Sequence, residues 1–167
     1  MKTATINIYK ALVLADIDAQ TYKRVDGVLS AESDQVKNAL SSDSTDHLDM
    51  NILLRFMESR DAVVRTKLAF ALVDEGEDLV ATNEVDKDAA SYEYKLQVPD
   101  TFNKQMLSAL AKLIHEYIAQ GAISDWYAQQ NLNGNVSVDA LEEMERSIVC
   151  ALRVGFAKKP LQPFGPR

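Results

Sequence analysis

The chain has 167 residues and a net charge of −7, and 47% of its residues are hydrophobic. That length fits one domain and is enough to bury about two thirds of the surface that the unfolded chain exposes. The negative charge argues against nucleic-acid binding through the whole surface. Because no apolar run approaches the roughly 20 residues of a membrane helix, we expect a soluble protein that does not contact membranes.

The single cysteine and the uneven charge distribution indicate the cellular compartment and the kind of partner. Cys150 cannot form an internal disulfide, which favours a reducing compartment such as the cytoplasm, and its apolar neighbours suggest a buried thiol. From Ser147 to Arg167 the chain carries four basic side chains and no acidic one, so a basic tail follows an acidic body. Such a tail suits docking on an acidic neighbour or peripheral contact with a nucleic-acid backbone; a solvated tail without a partner is the alternative.

The N-terminal half predicts one short strand and two helices, and residues 30–40 can form a further short helix between them. Residues 3–8 alternate in polarity, which predicts a strand or a frayed entry to the next helix. Residues 9–24 have helical spacing, and Gly27 suits the end of that helix. Residues 48–73 predict a long helix with a kink or a break near Asp61. Its expected core face comprises Leu48, Ile52, Phe56, Val63, Val64, Leu68, Ala71 and Leu72.

A β-hairpin is predicted in the middle of the chain. Residues 79–85 and 91–98 have the composition of two strands, and five residues separate them. In the second strand four apolar side chains alternate with polar ones, which is typical of a half-buried strand: Tyr92, Tyr94, Leu96 and Val98. An isolated hairpin is marginal in water, so it must pack against the helices or pair with another chain.

The next segment predicts a long helix over residues 101–130, with Asp100 at its cap. Its expected core face comprises Phe102, Met106, Leu110, Leu113, Ile114, Tyr117 and Ile118. Gly121 lies inside the pattern at a cost of about 1 kcal/mol relative to alanine, which indicates close packing against another helix. Trp126 is interpreted as a core anchor, with an interface anchor as the alternative.

A polar loop and a last helix complete the pattern. Residues 131–135 interrupt the helix, and Ser137 can cap the helix that follows. Because the connection is short, the two helices should pack antiparallel. Prolines at 160, 163 and 166 exclude further helix, so residues 161–167 are expected to form an extended arm.

The sequence contains no recognisable catalytic or metal-binding pattern. His47 and His115 are far apart, and no cysteine or acidic spacing joins either of them into a zinc motif. No nucleophile is spaced to meet a base, and no glycine-rich phosphate loop is present. We therefore predict a protein that is not an enzyme, with no catalytic, cofactor-binding or metal-binding residues.

Three segments carry a resemblance to a known group of proteins. They read YKLQVPDTF over residues 94–102, YIAQGAISDWY over 117–127, and RVGFAKKP over 153–160, and the N-terminal INIYKA over 6–11 is also similar. In these segments the chain resembles small virion-assembly proteins of tailed phages and prophages of Bacteroidetes-type bacteria. More broadly it is similar to helical head–tail connector proteins, also called neck or adaptor proteins.

The resemblance implies a structural subunit made in the bacterial cytoplasm and incorporated into a virion. Its expected partners are further copies in a ring and other virion proteins such as the portal. The expected fold is mainly α: a bundle of about four to five helices with a small β-hairpin near 79–98 in a single domain over 1–160, followed by the arm. Hypothetical interaction residues are Trp126, Tyr127, Arg153, Lys158, Lys159, Pro160 and Phe164. The competing interpretation is an intracellular helical binding module or adaptor of a bacterial protein.

Overall fold

The computed structural model describes residues 1–28, 41–73, 85–130 and 137–156. In chain order these contain β1 (Lys2–Tyr9), α1 (Lys10–Val28), α2 (His47–Leu68), β2 (Ser91–Val98), α3 (Lys104–Gln129) and α4 (Val138–Phe156). The fold is therefore mainly helical with a small antiparallel sheet, as the predicted fold class states. The predicted loop at 131–135 and arm at 161–167 lie outside the described residues. No described helix is both long and apolar enough to cross a lipid bilayer.

The sheet joins strands that are far apart in sequence. β1 and β2 run antiparallel, with Lys2 opposite Val98 at one end. On the other side of β2, Leu72 forms an isolated bridge to Leu96. In the described part of the chain, the partner of β2 along its whole length is thus the N-terminal strand rather than the preceding segment. The first strand of the predicted hairpin lies, apart from Val85, outside the described residues.

Both strands bury one face and expose the other. The buried side chains of β1 are Ala4, Ile6 and Ile8, and those of β2 are Tyr92, Tyr94, Leu96 and Val98. This burial confirms the predicted alternation in β2 and the strand interpretation of residues 3–8. Successive side chains of a strand point to opposite faces, so a two-residue period is sufficient to select the inner face.

The long helix α3 packs against α1, α2, α4 and β1. It begins three residues later than predicted because Asn103 is the cap: its side-chain oxygen accepts the Gln105 N–H at 3.0 Å. The predicted cap, Asp100, instead accepts the N-terminal ammonium of Met1 at 3.2 Å. Phe102 is buried, as predicted, but it lies before the helix.

The buried face of α2 differs from the predicted one. Leu48 is 68% exposed, although it was expected in the core. The buried residues are Leu53, Leu54, Met57, Asp61, Val64 and Leu68. The predicted break into two helices near Asp61 is wrong, because α2 is one helix from His47 to Leu68. The alternative of a kink stays a prediction. A charged residue occupies a core position there, and it interrupts the apolar pattern without interrupting the helix.

Two contacts around α3 confirm predicted packing. A Cβ atom added to Gly121 would lie 2.6 Å from the Arg60 side chain, so the glycine lets α2 and α3 approach closely. The Asn103 N–H at the start of α3 donates to the Gly155 carbonyl at the end of α4, at 3.4 Å. The start of α3 therefore lies beside the end of α4, so the two helices are antiparallel. The Ser137 hydroxyl caps α4, as predicted.

Helix α1 extends to Val28, past the predicted end. Its side chains form hydrogen bonds with the segment that precedes α2. Asp18 accepts a hydrogen bond from the Ser42 hydroxyl at 2.7 Å. The Ser42 hydroxyl also lies 2.8 Å from that of Thr21, in a buried contact. These hydrogen bonds satisfy polar groups that would otherwise be buried without partners.

Candidate interaction surface

A buried carboxylate connects α2 to the sheet. Asp61 is 5% exposed. It accepts hydrogen bonds from the Tyr94 hydroxyl and, at 2.7 Å, from Arg65 Nε. The Arg65 guanidinium also lies 4.9 Å from the centre of the Tyr94 ring. Burial and the nearby Asp61 carboxylate raise the pKa of Tyr94 well above its ordinary value. The buried Asp61 and Tyr94 are thus satisfied by each other and by the partly exposed Arg65, so this contact serves the fold.

Three further polar contacts connect α2, α3 and α4. Arg60 donates to Asp125 through two nitrogens, at 3.1 and 2.6 Å. The Tyr117 hydroxyl donates to Glu145 at 2.9 Å, and burial, followed by this hydrogen bond, raises the pKa of Tyr117 to about 12. Lys67 reaches the second oxygen of Glu145 at 2.8 Å. Two-nitrogen Arg–carboxylate pairs fix geometry as well as adding energy, so these contacts hold the three helices in register.

Glu145 predicts a pH-dependent contribution to stability. Partial burial disfavours its charged form, but hydrogen bonds from Lys67 and Tyr117 outweigh that effect and lower the pKa of its carboxyl. A carboxyl with a lowered folded-state pKa stabilises the fold above its unfolded pKa, and this stability is lost as pH falls through the folded pKa. We expect the wild type to lose thermal stability below the ordinary value of 4.5 more steeply than Glu145→Gln.

The control for this prediction is Glu142→Gln. Glu142 is 55% exposed at the side chain and pairs with Arg146 at 3.4 Å on the same helix. Exposed pairs of this kind contribute little to stability, so this variant should follow the wild-type pH profile. If the thermal stability of Glu145→Gln falls with pH as steeply as that of the wild type, the assigned role of Glu145 is contradicted.

The structure places two of the hypothetical interaction residues in the core. Trp126 is 2% exposed and Tyr127 is 3% exposed. The Tyr127 hydroxyl donates to the Thr21 carbonyl at 3.1 Å, which attaches α3 to α1. Both residues therefore stabilise the fold from inside. Trp126 follows the core-anchor interpretation of the sequence.

Arg153 is exposed in the last turn of α4, and an aromatic cluster forms around Phe156 in the same turn. The Phe156 ring meets the Phe102 ring edge to face at 5.7 Å between centroids, and it lies 6.4 Å from the Phe70 ring. Phe70 is 59% exposed and Val154 is 54% exposed. We call Phe70, Arg153, Val154 and Phe156 the α4-end surface. The remaining hypothetical interaction residues, Lys158, Lys159, Pro160 and Phe164, lie outside the described residues.

Gly155 determines how closely this turn of α4 packs. A Cβ atom on Gly155 would lie 2.3 Å from the Phe102 ring, so only glycine leaves room for that ring. The flanking residues Val154 and Phe156 are thereby fixed on either side of a tight contact. Sequence reasoning did not identify Phe70 as part of a surface. The apolar residues around Phe70 in the sequence indicate a helix end that is buried in the core. Whether Phe70 itself is exposed depends on which side of that helix end the neighbouring elements cover.

A shallow basic groove borders the α4-end surface. It has a volume of about 500 Å³, and its charged lining residues are Lys67, Glu142, Glu145, Arg146 and Arg153. Both acids are bonded to cations, whereas Arg153 has no ion-pair partner among the described residues. Cys150 also lines the groove and is exposed, so the expectation of a buried thiol is wrong. The groove presents a net positive charge, which suits an acidic segment of a partner protein.

His115 forms a contact between helices. Its Nε2 lies 2.7 Å from Asp16 Oδ2 of α1. Ser108 and His115 both line a second groove, between α1 and α3. Ser108 lies two helical turns from His115, about 10 Å along the axis, so its hydroxyl is out of reach of the ring. Within the described residues, no group of three or more His, Cys, Asp or Glu side chains is arranged to hold a metal ion.

Comparison of the chain with protein-family models, with curated proteins and with solved structures finds no match in any of the three. What supports a function is therefore the α4-end surface, its basic surroundings and the resemblance of the sequence segments.

Proposed function

We propose that this protein is a non-enzymatic structural subunit that acts through protein–protein contacts, and that it serves as a head–tail connector subunit of a tailed phage or prophage. The observation that carries the proposal is the α4-end surface. Phe70 and Val154 are exposed at the end of α4 that carries Arg153, where a folded monomer gains nothing from exposing them. Exposed aromatic and arginine side chains are enriched in protein interfaces and dominate their binding energy.

Basic residues follow this surface in the sequence. Lys158 and Lys159 come directly after α4 in the sequence, and the body of the chain is acidic. Complementary charges on one kind of subunit favour contacts between neighbouring copies, and contacts that are not self-complementary generate rings when the rotation closes. The proposed partners are thus further copies of this chain in a ring, together with other virion proteins such as the portal.

The polar contacts among α2, α3 and α4 support this role by making the surface rigid. The pairs Arg60–Asp125 and Lys67–Glu145 join helices that are distant in sequence. A surface that is already ordered loses less conformational freedom on binding, which improves affinity without additional contacts. On this proposal the protein is synthesised in the bacterial cytoplasm and ends in the virion.

The first test is mass spectrometry of particles purified after prophage induction in the source bacterium. We expect the chain in the particles at a constant ratio to the other neck proteins. Its reproducible absence, with capsid and tail proteins present, would contradict the virion role and favour an intracellular adaptor.

A second test addresses the surface itself. We expect Val154→Glu to block incorporation into particles while leaving thermal stability close to that of the wild type, because Val154 is exposed. Val138→Glu is the matched control, since Val138 is 72% exposed at the opposite end of α4. Deleting residues 161–167 should also weaken incorporation without unfolding the subunit. Normal incorporation of Val154→Glu would exclude the α4-end surface as the contact.

A further inference from the structure

The sheet ends in an open strand edge. β1 is paired with β2 alone, so its other edge has no neighbouring strand among the described residues. The pairing covers the whole of β1, Lys2–Tyr9, and contains no bulge. Asn7 and Tyr9 also line the groove between α1 and α3, and both are exposed. Solvent therefore reaches the edge at this end of the strand.

The register determines which backbone groups point out of this edge. On the far side of β2, the Lys95 carbonyl accepts from the Val73 N–H at 2.9 Å, and the Gln97 N–H donates to the Ala71 carbonyl at 2.7 Å. The backbone groups of odd-numbered residues in β2 thus point away from β1. Lys95 lies opposite Thr5. Because the two residues of such a position in an antiparallel pair both point away from each other, the odd-numbered residues of β1 point outward.

This edge has free hydrogen-bonding groups and lacks the usual protection. The N–H and C=O groups of Thr3, Thr5 and Asn7 point outward and have no backbone partner within the described ranges. Natural edge strands are commonly protected by lysine, proline, a bulge or a covering loop. Residues 3–9 contain no charged residue and no proline. An uncharged edge with free donors and acceptors is a template for another extended strand.

The side chains of β1 indicate that the same strand of a second copy fits the edge. Around a twofold axis at Thr5, the Thr5 residues of the two copies face each other, and Thr3 faces Asn7. On the inner side, Ala4 faces Ile6. No charged side chain of β1 then faces another, and threonine pairs are favourable across antiparallel strands. The same axis keeps both apolar faces on one side of the joined sheet, as a contact between identical subunits requires.

We propose that the outer edge of β1 pairs antiparallel with β1 of a second copy, which joins the two sheets in the order β2–β1–β1–β2. The outward groups of the two strands exchange about six main-chain hydrogen bonds, since each hydrogen-bonded pair of residues exchanges two. A typical interface carries about ten. One strand edge buries little side-chain area, so the contact belongs to the weak, reversible class. The inference rests on β1 and not on the α4-end surface, so it is independent of the proposed function.

Amide hydrogen exchange, resolved by residue with NMR, tests the pairing. At low protein concentration the Thr3, Thr5 and Asn7 amides should exchange fast, whereas the Ala4 and Ile6 amides are protected by β2. As the concentration rises from micromolar to millimolar, exchange at the first three should slow. Sedimentation should shift in parallel from the 18.6 kDa monomer to a species of twice that mass. Fast exchange and a monomer mass throughout the series would overturn the proposal.

Charge exchange at the twofold axis tests the register. Thr5→Lys places two lysines face to face and beside Lys95 of each copy, so this variant should stay monomeric. An equimolar mixture of Thr5→Lys and Thr5→Glu should dimerise again, because opposite charges then meet. Gln97→Lys adds the same charge on the exposed face of β2, away from the edge, and should dimerise like the wild type. Thermal unfolding shows whether each variant is folded.

The outcomes separate this pairing from other partners and from the virion role. Dimerisation of Thr5→Lys alone, or a mixture that stays monomeric while the wild type dimerises, would overturn the antiparallel pair. Protection of the edge only in purified particles would also overturn it and would assign the edge to a strand of another virion protein. Presence in particles of a chain that stays monomeric when purified would leave the proposed function in place. Dimerisation without presence in particles would do the reverse.

Discussion

Replacing Trp126 by alanine is expected to lower the free energy of unfolding by about 3–5 kcal/mol, the usual range for truncating a buried tryptophan. The side chain is 2% exposed and is the largest of the fully buried side chains. It lies in the last turns of α3, which packs against α1, α2, α4 and β1. Its removal leaves a cavity that these surrounding elements cannot fill by small movements, because each is held by further contacts.

The measurement is chemical denaturation followed by circular dichroism. Tryptophan fluorescence cannot be used for the variant, since Trp126 is the single tryptophan of the chain. The control is Val138→Ala, because Val138 is 72% exposed and its truncation should change stability by no more than about 0.5 kcal/mol. A loss below about 1 kcal/mol for Trp126→Ala would contradict its role as a core anchor.

This experiment also separates core residues from surface residues in assembly. If Trp126 acts only from inside, Trp126→Ala should reduce incorporation into particles only to the extent that it unfolds the chain. Val154→Glu should reduce incorporation in a chain that remains folded. The two variants together distinguish loss of the fold from loss of a contact, which a single interface variant cannot do.

Replacing Asp61 by alanine is expected to cost about 3 kcal/mol, because it leaves a buried hydroxyl and a partly buried guanidinium without their acceptor. The Tyr94 side chain is fully buried, and its hydroxyl donates to Asp61. The partner cation, Arg65, is 42% exposed at the side chain and can turn toward water, which keeps the loss at the low end for buried ion pairs.

A double-mutant cycle checks the assignment. Tyr94→Phe removes only the hydroxyl and leaves Asp61 paired with Arg65, so it should cost about 1 kcal/mol. Combining Tyr94→Phe with Asp61→Ala should cost less than the two single changes together, because the second change removes a group already without its partner. Additive losses would show that Tyr94 and Asp61 are not coupled, and that the interior contact does not stabilise the fold as described.

Local patterns in the sequence by themselves determined several structural features of this protein. The alternation from Tyr92 to Val98 selects the buried face of β2, since side chains of a strand point alternately to its two sides. Gly121 indicates the close approach of a second helix, which Arg60 confirms. Ser137 marks the start of α4 because its hydroxyl replaces a missing backbone acceptor. Each of these signals is carried by one residue or by residues within a few positions of one another.

The tertiary structure alone decided the contacts between distant segments. The pairing of β1 with β2 joins residues nearly a hundred positions apart, and an edge of β2 carries no local signal that names its partner. Asp61 interrupts an apolar pattern, and only the positions of Tyr94 and Arg65 make it a satisfied core residue. Exposure of Phe70 follows from which faces the neighbouring elements cover. Periodicity is set by adjacent residues, whereas the choice of partner depends on the sum of long-range packing, and no single segment contains that information.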